Sequence, residues 1–401
     1  MLPRLLSTPP LATPQDFQTH YTQRSHLPGF DPKYFDYLDY DHIVEFTPES
    51  WGELRDLTAR VDAIFMKAYK ISRQDFAANI PEFQMFEEYF SAEFPRNRQF
   101  LARYDVIIDS VSGEYQFLET NANTPGLITE SYHIARRLCP DGYENPSDTM
   151  LQWVYDFYTR ARKIAQERGV ANPKLAILLA QSFVDEDYLM ASDYLELLTP
   201  IFWAQNIIIG DIYDTRTTSD KLTIKGEKID IILGFFPFEF YLTDPEFLLS
   251  LLELEKIKKL QIANPLESMI LQDKRIFAII WEYIDEFTDE EQSLIKKHIP
   301  HTLRTLPDEG AYLAKWRFGR YGHQIYMDSL VTNTDTPSDF IYQQKIEPLR
   351  SDSAENFLVL GVFTDYTTPF SVIARKQRPL TTADEDSRVT LCYVKSPSPL
   401  S

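Results

Sequence analysis

Cysteine and positive charge are scarce in this sequence. Only two cysteines occur in 401 residues, Cys139 and Cys392, far apart in the chain. They make neither a disulfide framework nor a thiolate metal cluster, and a reducing, cytoplasmic location is expected. Forty Lys and Arg face sixty Asp and Glu, a formal charge of −20. That balance argues against nucleic-acid backbones and anionic membranes as partners and favours cations and amines. The seven histidines form no H-E-x-x-H, and no G-x-S-x-G is present, which removes the zinc-hydrolase and serine-hydrolase readings. A G-x-G-x-x-G is missing too, so a dinucleotide is not indicated. No stretch approaches the ~18 uninterrupted apolar residues of a spanning helix, and the opening "MLPRLLSTPPLATP" is broken by prolines.

What is present is a globular composition, 44% hydrophobic and 14% aromatic, long enough for two or three subdomains. The first fifty residues, rich in Pro, Tyr and Asp, read as an irregular segment wrapped on the surface. Apolar recurrence near 3.6 and an acidic start predict a helix from Pro48 to Lys70. "TMLQWVYDFYTRARKIAQERG" predicts a helix over 149–169 stopped by Gly169, and "PKLAILLAQ" a strand buried on both faces. A helix through "DYLMASDYLELLTPIFWAQ", strands "NIIIGDIYD" and "IDIILGFF", and a hairpin "KLTIKGEKID" complete a Rossmann-like half. From about Ile262 the pattern becomes mixed, with a helix "DKRIFAIIWEYI", strands "AYLAKWRF" and "DFIYQQKIEPL", and a hairpin "FLVLGVFTDY"/"TPFSVIARK". These stretches predict a second lobe, and the tail "VKSPSPLS" is expected to be disordered.

Chemistry concentrates in "YDVIIDSVSGEYQFLETNANTPG", two strands and a turn ending in polar side chains. Alternation places Arg103, Asp105, Ile107 and Asp109 on one face of the first strand, and Tyr115, Phe117, Glu119 and Asn121 on one face of the second. A three- or five-residue loop around Ser110 to Gly113 pairs odd with odd, so that Arg103 and Asp105 share a face with Glu119 and Asn121. Two carboxylates, an amide oxygen and an Arg suit Mg²⁺ bound to phosphates. A solvated hairpin rim with an Arg–Asp pair at i, i+2 is the alternative that spacing leaves open. In "LAKWRFGRYGHQI" a strand carrying Lys315 runs into Gly319 and Gly322, with Arg317, Arg320 and His323 around them. This suits a phosphate contact under a glycine lid; taken alone, the stretch fits a plain β-turn with basic decoration better. Lys274 begins an amphipathic helix after a Pro-containing loop, which by itself is an ordinary surface position.

In order, these segments resemble the C-terminal synthetase domain of glutathionylspermidine synthase and its stand-alone relatives without the amidase domain, which are ATP-grasp ligases. The resemblance spans about Leu101 to Val394. "RYD", "ETNANT" and "TES" are similar to the family's R-x-D, E-x-N-A-[DN]-[ST] and T-E; "IDIILGFFPFEF", "NPLESMILQDK", "AKWRFGRYG" and "IYQQ" match its later motifs. The resemblance implies an α/β (α+β) ATP-grasp fold with a Rossmann-like preATP-grasp subdomain. The expected division is 1–100 wrapping and helical, 101–262 metal-binding hairpin and substrate subdomain, 263–395 nucleotide-binding lobe, and 396–401 tail. It implies ATP and Mg²⁺, with Asp105, Glu119 and Asn121 on the metal and Arg103 and Arg375 at the transferred phosphoryl group. Lys274, Lys315, Gly319, Gly322 and Gln344 fall at nucleotide contacts, and Thr124, Thr129 and Glu239 at the acid substrate.

The implied reaction is ADP-forming ligation of a small acid, glutathione or peptide-like, to a polyamine-like amine through an acyl phosphate. A catalytically inactive ATP-binding or scaffolding protein of the same fold is the alternative; a kinase-like activity without amide formation is a third reading. Departures from the family pattern, Gly126, Asn123, Trp316-Arg317 and Asn264-Pro265, bear on the identity of the acid more than on the metal set.

Overall fold

In the computed structural model, the N-terminal segment that composition reads as irregular contributes two strands, β1 (Arg4–Ser7) and β2 (Leu38–Phe46). The structure describes residues 2–8, 32–94, 101–180, 184–242, 244–319, 325–327, 339–351, 356–377 and 387–396. Strand β2 is buried along most of its length and pairs in parallel with a strand at the far end of the chain. A partner more than 300 residues away leaves no local sequence signal.

Helix α1 (Pro48–Asn79) starts as expected, with proline in its first turn and a Thr47–Ser50 capping box, but runs nine residues beyond Lys70. It ends where Ile80, extended before Pro81, cannot continue a helix. Strands β3 (Ala102–Ile108) and β4 (Tyr115–Asn121) form the expected hairpin. Phe65 of α1 packs edge-on against Tyr104 of β3, ring centroids 5.2 Å apart, which places α1 on one face of that hairpin.

After α2 (Asp148–Glu167) come β5 (Leu175–Leu179), α3 (Val184–Phe202), β6 (Ile207–Asp211), β7 (Ile231–Phe235), α4 (Glu246–Lys256) and β8 (Gln261–Ile262). The four strands make a parallel sheet in the order β8-β7-β5-β6, with β5 and β7 buried throughout, the Rossmann-like half that the apolar runs predict. The hairpin expected at 221–230 is part of a three-stranded meander that also includes Thr215–Thr217.

Helix α5 (Arg275–Glu282) leads to a small antiparallel sheet of β9 (Thr302–Leu303), β10 (Tyr312–Trp316), β11 (Ile325–Met327) and β12 (Phe340–Gln344), in the order β9-β12-β10-β11. The last strands, β13 (Phe357–Thr364), β14 (Pro369–Gln377) and β15 (Arg388–Lys395), do not join it. They extend the hairpin into a sheet ordered β1-β2-β15-β14-β13-β3-β4. The strands of 263–395 thus lie in two sheets, because β13 pairs its apolar length with β3 and not with β12. The tail "VKSPSPLS", expected to be disordered, lies outside the described residues beyond Ser396. Among the described residues no helix is long and apolar enough to cross a membrane.

Candidate active site

The hairpin turn is not the odd-numbered loop that the residue alternation asks for. Asp109 and Glu114 close it, the Asp109 amide donating to the Glu114 carbonyl at 2.9 Å, and pairing starts with Ile108 opposite Tyr115 and Val106 opposite Phe117. Continued unbroken, that register would set Asp105 against Leu118. A β-bulge between Asp105 and Val106 skips Leu118, so Asp105 faces Glu119 and Arg103 faces Asn121. The four polar residues therefore meet as expected, for a different reason. Phe117 does not share their face: it packs against Tyr104 in the core, centroids 5.3 Å apart, while Glu119 two residues on turns to Asp105.

Around Asp105 and Glu119 the fold gathers four cations. Arg103 Nε donates to Asp105 Oδ1 at 2.8 Å and its terminal nitrogen to the Gly126 carbonyl at 2.8 Å, while Arg375 of β14 reaches Asp105 Oδ2. Lys274, at the start of α5, lies 3.3 Å from Glu119 Oε2 and donates to the Gly319 carbonyl at 2.5 Å. Lys315 of β10 donates to Gln343 Oε1 at 2.6 Å. Burial works against ionisation of Glu119, but Lys274, Lys315 and Arg375 together with a bond to Asp105 outweigh it and hold the carboxyl well below the usual range. Burial lowers Lys315 to about 8, offset in part by Glu119 and deepened by Lys274. The surplus of positive charge is what a polyphosphate would neutralise.

Among the described residues no group of three or more His, Cys, Asp or Glu is placed to hold a metal. The hairpin offers instead two carboxylates and the Asn121 amide, whose buried Nδ2 has no partner. Oxygen donors of this kind fit a hard divalent cation, and with four cations alongside they fit it as a companion of phosphate oxygens.

Gly361 of β13 sits opposite Asp105 in the sheet, and a Cβ there would stand 2.7 Å from Arg103 Cδ and 3.0 Å from Ile373 Cγ2. A glycine inside the apolar run "FLVLGVF" was the available signal for such a close approach. Gly361→Ala is expected to cost about 1–3 kcal/mol and, by displacing Arg103, to lower turnover about 10²-fold, read by thermal melting and initial rates.

Gln344 does not join this group. Its side chain is exposed, whereas its neighbour Gln343 is buried and bonded to Lys315, because residues alternate faces along β12. Gly322, with Arg320 and His323, lies outside the described residues. The departure at Arg317 is buried and close to two aspartates, 4.0 Å from Asp273 and 3.8 Å from Asp339, with its guanidinium over the Phe318 ring.

Thr124 occupies the half-buried loop after β4, held by Gln272, whose Oε1 accepts from the Ala122 and Asn123 amides. Asn264, another departure, ties that loop to β7: Nδ2 donates to the Asn123 carbonyl and Oδ1 accepts from the Gly234 amide, both at 3.0 Å. Glu239 is buried in the turn following β7, at the carboxyl end of the parallel sheet where its strand order switches sides. Thr129 directs its hydroxyl to Asp193 Oδ2 at 2.6 Å, on a crevice lined by Tyr132, Met150, Met190 and Tyr194. Gly361 was missed despite that signal, and Leu118, Gln343 and Gln272 carried none in the sequence.

A family profile described as glutathionylspermidine synthase preATP-grasp matches residues 17–394. No curated protein matches in sequence. Among solved structures, the apo form of GSS30, a glutathione synthetase-like effector from Globodera pallida, superposes with a TM-score of 0.57 at 12% identity, covering 97% of this chain and 100% of that one. A putative γ-glutamylcysteine synthetase from Methylobacillus flagellatus gives a TM-score of 0.39 at 12% identity, covering 80% of this chain and 85% of that one.

Proposed function

Because the chain belongs to the glutathionylspermidine synthase preATP-grasp family, we propose that it is an ATP-dependent, ADP-forming carboxylate–amine ligase acting in the cytoplasm. The observation that carries this reading is the paired Asp105 and Glu119 ringed by Arg103, Lys274, Lys315 and Arg375. In the proposed reaction an acid's carboxylate oxygen attacks the γ-phosphorus of ATP, ADP departs, and an amine then displaces phosphate from the acyl phosphate to leave an amide. Lys274 and Lys315 bind and orient the phosphates, while Arg103 and Arg375 face the charge that develops on the transferred group. Mg²⁺ carried with the nucleotide would be held by Asp105, Glu119 and Asn121 and would supply charge neutralisation.

We assign the nucleotide side of the site to Lys274, Lys315, Gly319 and the Gly322 segment, with Gln343 supporting Lys315. The acid is assigned to Thr124 and Glu239, near the crevice of the parallel sheet, with Thr129 acting through Asp193. A peptide-like acid fits the polar loop around Asn123, and a polyamine-like amine fits the acidic chain.

The test is mass spectrometry of the protein incubated with MgATP, carboxylates including glutathione, and amines including spermidine. A product of acid plus amine less water, formed with ADP, is the expected result. A folded protein that neither binds MgATP nor forms ADP overturns the reading; a phosphorylated acid without amine dependence replaces ligase by kinase.

A further inference from the structure

Behind the carboxylates, on the opposite face of the same hairpin, lies a second polar cluster that the proposed reaction does not use. Asp62, on the inner face of α1, is 1% exposed. Thr364 Oγ1 at the end of β13 donates to Asp62 Oδ2 at 2.6 Å and accepts from the Tyr366 amide at 3.0 Å. The Tyr366 hydroxyl meets Thr120 Oγ1 at 2.6 Å, and the Tyr366 ring stacks edge-on with Tyr104, centroids 5.7 Å apart. The Tyr104 hydroxyl and Asp62 Oδ1 are both buried without a direct hydrogen-bond partner.

The placement of these residues gives the cluster its meaning. Tyr104 stands between Arg103 and Asp105, and Thr120 between Glu119 and Asn121; the two are directly opposed in the register, one step beyond the bulge. Successive strand residues point to opposite faces, so fixing Tyr104 and Thr120 on the core side fixes their neighbours on the site side. Thr364 pairs with Ala102, so the third strand is tied at the same level.

We propose that Asp62 is a positioning residue for the Arg103/Asp105/Glu119/Asn121 site, holding the bulged register from behind through Thr364, Tyr366 and Tyr104. The inference rests on the ligase reading for its catalytic consequence only. The groups that face Asp62 are Thr364, Tyr104 and Tyr366, with Asp365 nearby, and none is a cation. Burial pushes the carboxyl up to about 8, against the lowering effect of the Thr364 bond and the neighbouring Tyr104 hydroxyl and with a further push from Asp365. Asp62 is thus a neutral acid at pH 7 and carries a proton into the core. The opened carboxyl ionises at about 3.9, so the stability carried by the protonated form is lost as pH rises from there to about 8, where the folded carboxyl also ionises, against Tyr104 and without a cation.

Hydrogen exchange, corrected for intrinsic rates, tests this between pH 6 and pH 9.5 on the wild-type protein and on Asp62→Asn and Asp62→Ala, alongside the pH dependence of ADP formation. The expected result is that protection of wild-type residues 102–121 and 357–364 falls by about tenfold per pH unit from pH 6 to pH 8 and levels off above it, while that of residues 175–179 and 231–235 does not change. Asp62→Asn should remove that loss and flatten the basic limb of kcat, and Asp62→Ala should lower kcat about 10-fold or more with KM for ATP within about threefold. Uniform protection changes across both sheets, or an Asp62→Asn protein with the wild-type pH dependence, would overturn the proposal; in the latter case the limb belongs to another group such as Lys315. A wild-type protein that forms no ADP yet shows the selective loss of protection overturns the ligase reading alone.

Discussion

Asp105→Ala is expected to lower ADP formation about 10²–10⁴-fold and to destabilise the fold by about 3–5 kcal/mol. Both effects arise from one carboxylate with two guanidinium partners. Asp105 is 3% exposed, receives Arg103 in a two-nitrogen grip, and takes Arg375 on the same oxygen that Arg103 reaches at 3.4 Å. Removing it leaves two cations facing each other in a site that already holds Lys274 and Lys315, which is the costly way to break a buried pair. The stability loss and the rate loss separate in a double variant. Asp105→Ala combined with Arg375→Met relieves the repulsion and should recover about half of the lost stability while restoring none of the rate. Thermal melting and single-turnover ADP formation read the two quantities. If Asp105→Ala keeps ADP formation within tenfold of wild type, the hairpin is not where phosphoryl transfer occurs.

The same hairpin shows how far the sequence could be read. Arg103, Asp105, Glu119 and Asn121 were visible as polar residues in strands that should be apolar, and Lys274 and Lys315 as members of an ordered set of motifs. Their convergence was not visible, because Lys274 comes from a helix start, Lys315 from a small separate sheet and Arg375 from a strand 270 residues beyond Asp105. Parallel-sheet strands such as Leu175–Leu179 were legible because burial on both faces writes a continuous apolar run. Strand Leu38–Phe46 was not, since Asp39, Tyr40 and Asp41 look like loop and its partner is the C-terminal strand. Gln343 and Gln344 are chemically identical, and only the pairing of β12 with β10 decides which of them meets Lys315. The hairpin Phe357–Gln377 was found, but its place beside β3 was not, because strand patterns specify faces and not neighbours.

Deleting Thr120 is expected to abolish ADP formation, whereas deleting Leu118, two residues earlier, is expected to be tolerated. Leu118 is the extra residue of the bulge, the point where the strand steps out of register. Without it the pairing that starts at Ile108 and Tyr115 runs on unbroken, keeping Val106 with Phe117, Asp105 with Glu119 and Arg103 with Asn121. Alternation then leaves Phe117 on the core face and Glu119 on the site face, so the loss is one half-buried leucine and the local bend. Thr120 has no such slack, and its removal leaves the strand two choices. Either the bulge stays and Asn121 turns into the core opposite Tyr104, or Leu118 enters the register opposite Asp105 and Glu119 turns into the face lined by Phe65, Phe117 and Tyr366. The first takes Asn121 from Arg103 and buries an amide; the second buries a carboxylate beside Asp62 with no cation in reach. Both lose the Thr120–Tyr366 hydrogen bond, and each costs on the order of 3–5 kcal/mol. The Thr120 deletion should therefore lower the melting temperature by several degrees, and the Leu118 deletion should keep ADP formation within about tenfold of wild type. Equal loss of activity in the two deletions would show that the bulge itself, and not the facing of the strand residues, is what the site requires.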